Sequence, residues 1–236
     1  MSDIAVTSSA ELLGGFRITI DGRPVTNWRA GKSQALVQYL LLHRGRPVSR
    51  DTLRSALWPH LPPSAGVTSV KAAVHGARRA LCAPGERHSP VRIASVDGGY
   101  LLQADHLRID VATFERRMTA ATAAVAGGDR TLAAGHLRRA LEVYRGDLLP
   151  NQDAEWAVAE REWCRVRALH ALRLLSDLAL ETGDWWAAIR WNRRALEVDP
   201  YDPAAFTVLA DCHRRLGITG AALRWDELAQ SRLAQV

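Results

Sequence analysis

The sequence predicts an α+β N-terminal domain over residues 1–104 and an all-α domain over residues 105–236. Three observations carry this. Alternating apolar residues with turn dipeptides occur only in the first part. An Ala- and Gly-marked repeat fills the second. The charge divides at the same place: residues 1–104 hold 13 basic and 6 acidic side chains, a net +7, while the remainder is at −1.

In the first part, Phe16, Ile18 and Ile20 alternate with Arg17 and Thr19, the pattern of a half-buried strand. Asp21-Gly22 predicts a turn, with a return strand beginning at Val25. A helical run follows to about His43, with Ser33 as its expected N-cap and Leu36, Val37, Leu40 and Leu41 as its buried face. Gly45 and Pro47 end it. Ser49 is the expected N-cap of a second helix, RDTLRSALW, with Asp51 suited to the dipole of its first turn. Pro59, Pro62 and Pro63 predict a loop over 59–66.

The stretch from Val67 to Leu81 has two faces at helical spacing. Val70, Val74, Ala77 and Leu81 form an apolar stripe. Thr68, Lys71, His75 and Arg78 form a polar, basic one, with Arg79 beside it and Ser69 and Ala72 at its margin. No acidic residue lies between Asp51 and Glu86. A helix that packs on one side and offers donors and positive charge on the other suits the major groove of DNA, where Arg and Lys meet guanine O6 and N7. Beyond Pro84-Gly85, Val91, Ile93 and Ser95 share one strand face, Asp97-Gly98-Gly99 predicts a hairpin turn, and Tyr100-Leu101-Leu102 the return strand. Three helices followed by a hairpin make a winged helix-turn-helix. Its groove helix is the third. The hairpin tip, expected near Arg92 and Gly98-Gly99, and the second helix start at Ser49 and Arg50 are candidates for phosphate contact.

The second part is Ala-rich and helical. Gly128-Asp129, Ala133 and RRALEV at 138–143 recur as Gly183-Asp184, Ala188 and RRALEV at 193–198, an offset of 55. Gly183, Ala188 and Ala195 recur as Gly217, Ala222 and Ala229, an offset of 34. Small residues at that period, with Pro200 at the boundary, are the tetratricopeptide pattern of stacked helix pairs, which bury a continuous core and bind proteins or peptides. The longer offset predicts an inserted helix near 153–170. Asp184, Asp199 and Asp202 stand near turns, where they cap helices. Adjacent Trp185 and Trp186 point about 100° apart on a helix, so one face does not bury both.

The N-terminal sheet, LLLHRGRPVSRDTLRSALW, the SVKAAVHGARRAL helix and the DGGYLL hairpin resemble the OmpR-type DNA-binding domain of the Streptomyces antibiotic regulatory protein (SARP) family. The second part is similar to the bacterial transcriptional activation domain that follows it there. Arg78 and Arg79 match the family's closing arginines; Gly76-Ala77 stand where Arg-Leu is usual. The resemblance implies an activator of a secondary-metabolite gene cluster. It implies binding to direct repeats near a promoter as a homodimer on double-stranded DNA, with recruitment of RNA polymerase through its sigma and alpha subunits.

Two other functions fit the same residues: a helical-repeat adaptor with non-specific nucleic-acid contact, and an effector-sensing protein whose helical part gates DNA binding. No enzyme is expected. The eight histidines are scattered, and neither H-E-x-x-H, G-x-S-x-G nor G-x-x-x-x-G-K-[ST] occurs. Neither cofactor nor metal is expected; Cys82, Cys164 and Cys212 lack ligand spacing. No apolar run approaches the ~20 residues of a bilayer span, and no basic segment precedes an apolar one at the N-terminus, which predicts a cytoplasmic, nucleoid-associated chain without membrane contact.

Overall fold

The computed structural model describes residues 8–28, 32–82, 89–104 and 106–234. It contains two compact units, Met1–Ala112 with Leu148–Arg161, and Thr113–Asp147 with Glu162–Val236.

In the first unit, β1 (Ser9–Glu11) pairs antiparallel with β2 (Arg17–Ile20), Ala10 opposite Ile18. The alternation is realised: Ile18 and Ile20 are buried. Asp21 and Gly22, both at positive φ, make the turn. The return strand β3 is Arg23–Pro24 rather than a strand from Val25, because a two-residue turn leaves Arg23 opposite Ile20. A strand too short to show alternation, β7 (Arg108–Ile109), lies parallel to β1 and completes the order β3-β2-β1-β7. Asp110 opens α4 (Asp110–Ala126) directly after it. Its carboxylate accepts the Leu12 and Leu13 backbone N–H at 2.9 Å and that of Val111 at 2.7 Å. Those donors would otherwise be left unpaired where β1 ends.

Helix α1 (Ser33–Leu42) buries Leu36, Val37, Leu40 and Leu41 as expected. Ser33 is not its N-cap. The Lys32 carbonyl accepts the Leu36 N–H, so the helix opens at Lys32 and Ser33 is buried inside it. Strand β4 (Val48–Ser49) leads into α2 (Arg50–Leu57), where the Ser49 hydroxyl accepts the Thr52 N–H at 3.0 Å, the expected cap. Helix α3 is Pro63–Leu81, so the expected loop over 59–66 is shorter. Proline at the first helical position has no N–H to lose and a φ already set for the helix. The stripe of Val70, Val74, Ala77 and Leu81 is at most 3% exposed. The expected break at Pro84-Gly85 lies outside the described residues. Strands β5 (Arg92–Val96) and β6 (Gly99–Gln103) form the hairpin, and β4 joins it in the order β4-β6-β5.

Leu148–Arg161 belongs to this unit through specific contacts. Leu149 donates its N–H to the Leu12 carbonyl at 2.8 Å, and the Gln152 amide donates to Gln38 at 3.0 Å. Trp156 meets the Tyr39 ring edge-on at 5.2 Å. Arg161 holds the segment by donating to the carbonyls of Leu148, Leu149 and Gln152.

The second unit follows the repeat. Gly128, Gly183 and Gly217, all at φ of 71–76°, turn the chain between α4 and α5 (Arg130–Val143), α6 (Glu155–Glu181) and α7 (Trp185–Val198), and α8 (Pro203–Arg215) and α9 (Thr219–Leu233). This is the left-handed conformation that ends a helix and favours glycine. Asp129 and Asp184 then accept the N–H of Leu132 and Ala187, so each repeated Gly-Asp joins a helix end to a helix cap. Asp202 caps α8, while Asp199 ends α7 and accepts the Tyr201 N–H. Ala133, Ala140, Ala188, Ala195 and Ala222 are at most 1% exposed, which lets helices approach closely. The separate inserted helix expected near 153–170 is instead the N-terminal part of α6. No Gly or Pro interrupts Glu155–Glu181, so one helix continues. Among the described residues no helix is long and apolar enough to cross a membrane.

Candidate nucleic-acid interface

The polar stripe of α3 is a surface. Thr68, Lys71, Ala72, His75, Arg78 and Arg79 are exposed and Ser69 is half-buried, opposite the buried valine stripe. Gly66 sets how closely this helix approaches α2: a Cβ there would lie 2.4 Å from Cγ of Arg54. Downstream, Gly76 lies within the helix and adds no side chain to it.

Arg78 is exposed yet already engaged. Its Nε donates to the Ile93 carbonyl at 2.9 Å and its Nη2 to the Ser95 hydroxyl at 3.0 Å, tying the last turns of α3 to β5. Its guanidinium also stands 6.0 Å from the centroid of the Tyr100 ring, and Arg50 stands at the same distance. Arg50 in turn donates its backbone N–H to the Gly98 carbonyl at 3.0 Å. The start of α2, the hairpin turn and the end of α3 therefore converge on Tyr100, bringing Ser49, Arg50, Gly98 and Arg78 together. Ser49 and Thr52 share a hydroxyl hydrogen bond at 2.8 Å on the exposed first turn of α2.

Two expected positions differ. The turn is Asp97-Gly98 alone, and Gly99 is buried in β6. A Cβ on Gly99 would lie 2.1 Å from the Val48 carbonyl oxygen, so this glycine exists for the approach of β4. Arg92 is not near the tip. It pairs with Gln103 at the opposite end of the hairpin, about 16 Å away at the rise of a strand. The tip carries the exposed Asp97. Sequence reasoning missed Thr52, Ser95 and Tyr100. Only Tyr100 had a signal, its place in the GGYLL phrase.

Among the described residues no cluster of His, Cys, Asp or Glu could hold a metal ion. An open groove of about 470 Å³ on the first unit is lined by Phe16, Lys32, Gln34, Gln38, Asn151 and Gln152, and it contains no acid–base pair.

A family model described as the bacterial transcriptional activator domain matches residues 109–235. The transcriptional regulatory protein EmbR of Mycobacterium tuberculosis is 36% identical over 138 residues, covering 58% of this chain and 35% of that protein. The regulatory protein DnrI of Streptomyces peucetius is 32% identical over 159 residues, covering 64% of this chain and 58% of that protein. The solved structure of Mycobacterium tuberculosis EmbR in complex with a low-affinity phosphopeptide superposes with a TM-score of 0.70 at 27% identity, over 97% of this chain and 60% of that chain. The sequence match thus takes in about a third of the EmbR relative's length, and the superposition 60% of that chain. The class that the fold and these comparisons define is that of chains in which a bacterial transcriptional activator domain follows a small N-terminal sheet region. More narrowly, the chain belongs to the bacterial transcriptional activator domain family and is similar to SARP-type regulators such as DnrI.

Proposed function

We propose that the chain is a sequence-specific DNA-binding activator whose first unit is a winged helix. The observation that carries this is the exposed basic face of α3, set on a buried apolar stripe and followed by a hairpin. In this reading Thr68, Lys71, Ala72 and His75 face the bases, with Ser69 at the edge. Arg79, Ser49 and Arg50 meet phosphates, the last two at the positive end of the α2 dipole. Arg78 holds the hairpin against α3 and so fixes the angle at which both reach the duplex. Asp97 makes the tip a poor phosphate ligand; Gly98 offers backbone there, and Arg92 supplies charge at the hairpin's other end.

The helical unit is read as tetratricopeptide-like pairs, which the αL glycines and buried alanines support. It brings two protomers together on direct repeats and recruits RNA polymerase through its sigma and alpha subunits. Membership of the family supports a secondary-metabolite gene cluster as the target, and the DNA partner places the chain on the nucleoid.

The test is a selection of bound genomic fragments with the purified chain at near-physiological salt. Two direct half-sites about one helical turn apart are expected. Fragments recovered without a motif would favour the adaptor reading instead, since phosphate contacts release counterions without reading bases.

A further inference from the structure

The open groove on the first unit lies between the start of α1 and the chain at Leu149–Gln152, with Phe16 beside them. Its volume of about 470 Å³ falls in the range of about 300–1,000 Å³ typical of small-molecule sites. The non-helical wall is held in place by protein contacts. Arg161 donates to the carbonyls of Leu148, Leu149 and Gln152 at 2.6–2.8 Å. Leu149 stands at a φ of 44°, a conformation rare for a leucine.

A buried amide opens on this groove with half of its hydrogen bonding unmade. Gln38 is 6% exposed. The Ala154 N–H donates to Gln152 Oε1 at 3.4 Å, so Gln152 turns its Nε2 toward Gln38 and donates to Gln38 Oε1 at 3.0 Å. This chain of amides fixes which end of Gln38 faces outward. It is the Nε2, and that NH2 meets no acceptor among the described residues. A polar group so nearly buried ordinarily has its partner.

The same groove receives the positive end of α1. Helices α2, α5, α7 and α8 each begin with a side-chain oxygen that accepts a backbone N–H, whereas α1 has no side-chain cap and no acidic residue in its first turn. Its first intrahelical bond runs from Leu36 to Lys32, so the N–H groups of Gln34 and Ala35 meet no acceptor among the described residues. Both residues line the groove, as does the exposed Lys32, and no described carboxylate does. Free N–H groups, a helix dipole and an ammonium together favour an anion. Phe16 and Pro150 add apolar surface.

We propose that this groove binds a small, elongated organic carboxylate that carries an apolar ring and, at its far end, a hydrogen-bond acceptor. The carboxylate meets Lys32 and the first N–H groups of α1. The ring lies against Phe16 and Pro150, and the acceptor takes the Gln38 NH2. Lys32 and Gln38 stand six residues apart, about 9 Å along the helix, which sets the length of the ligand. A bare phosphate would satisfy the charge but leave Phe16, Pro150 and the Gln38 amide uncovered. Binding here does not depend on whether α3 reads DNA.

The test is an NMR titration of the full chain with para-acetamidobenzoate, which has a carboxylate, a ring and an amide carbonyl in line. Three controls each lack one part: para-acetamidobenzamide the charge, para-isopropylbenzoate the acceptor, and inorganic phosphate the apolar body. Saturable binding of para-acetamidobenzoate is expected, with a shift of the Gln38 side-chain NH2 signals, and each control is expected to bind severalfold to tenfold more weakly. Lys32→Gln, an exposed change, should weaken the acetamidobenzoate about tenfold and leave the acetamidobenzamide unchanged. Gln38→Met should weaken the acetamidobenzoate severalfold and leave the isopropylbenzoate unchanged; if that variant fails to fold, Lys32→Gln still decides the matter. Absence of saturable binding by both ring carboxylates at millimolar concentration would overturn the proposal, as would equal affinity of wild type and Lys32→Gln for the acetamidobenzoate. Phosphate binding as tightly as the ring carboxylates would also overturn it, leaving a bare anion site.

Discussion

Lys71 and Arg78 leave the same helix seven residues apart, on the same exposed face, for different tasks. Lys71 ends in solvent, whereas Arg78 spends two of its donors on Ile93 and Ser95. On the DNA-binding reading, a guanidinium held in this way would add charge near the duplex but lack the free fork that pairs with guanine. Lys71→Ala is therefore expected to relax discrimination at one or two base positions, at about 1–3 kcal/mol. Arg78→Ala is expected to weaken binding by a similar factor on cognate and scrambled DNA, and to lower stability by about 1 kcal/mol through the lost hydrogen bonds. Affinity measured across a single-substitution operator library separates the two; a position-specific loss in Arg78→Ala would return that residue to base readout. Helical periodicity was enough to identify the face. It could not show the Ile93 carbonyl, because that partner stands fifteen residues away and is placed by the hairpin rather than by the helix.

At the level of the elements, the long-periodic helices were legible and the joints between them were not. Pro63 looked like part of a loop because proline breaks helix interiors, but at a first turn it does no harm. Helix α6 looked like an insertion because the repeat offset lengthened there, although its sequence contains no breaker. The RRALEV phrase was visible twice, but its two copies do different work. Arg194 of the second copy donates to the carbonyls of Leu141 and Tyr144, at 2.5 and 2.9 Å, where α5 ends. Its counterpart Arg139 is exposed. Arg194→Ala leaves two helix-terminal carbonyls without a donor and is expected to cost about 1–3 kcal/mol; Arg193→Ala, one residue away in solvent, is expected to stay within about 0.5 kcal/mol. Urea unfolding of both variants checks the contrast.

Asp110 joins β7 to α4, and its chemistry gives a pH signature. Burial pushes its carboxyl from the ordinary 3.8 up to about 6, against the pull of the Leu13, Leu12 and Val111 N–H donors and with a further push from Glu11. The folded chain then holds this proton more tightly than the unfolded one. The contribution is fully present below about pH 4 and is lost as the pH rises through about 6. Asp110→Asn turns an amide NH2 toward backbone donors and is expected to destabilise the chain at neutral pH by about 1–3 kcal/mol. The gap to wild type should widen as the pH falls from about 6 to 4, which thermal melts across that range would show; a gap independent of pH would mean that Asp110 is ionised throughout.

At the scale of the whole molecule, the charge split and the change of periodicity mark a division near residue 105, but they do not show which pieces of chain complete the first unit. That unit takes β7 and Asp110 from just beyond the division, and Leu148–Arg161 from the stretch that lengthens the repeat. Neither piece had a local signal: two residues cannot alternate, and a segment read as part of a repeat carries no mark of the face it will cover. A fragment ending at residue 104 would lose the parallel partner of β1 and the carboxylate that accepts the Leu12 and Leu13 N–H. The Leu12 carbonyl would lose its Leu149 donor, and Tyr39 and Gln38 of α1 would lose Trp156 and Gln152. Exposed apolar surface and unpaired backbone groups act in the same direction. Such a fragment is therefore expected to melt well below the full chain, by roughly 10 °C or more if the loss exceeds about 2 kcal/mol in a domain of this size. It should also bind DNA more weakly than the full chain even at one half-site, where pairing of protomers cannot contribute. Adding residues 105–161 should restore the melt and the half-site affinity together. If the short fragment instead melts with the full chain, the α1–α3 helices and hairpin are self-sufficient, and Leu148–Arg161 covers their unit without stabilising it.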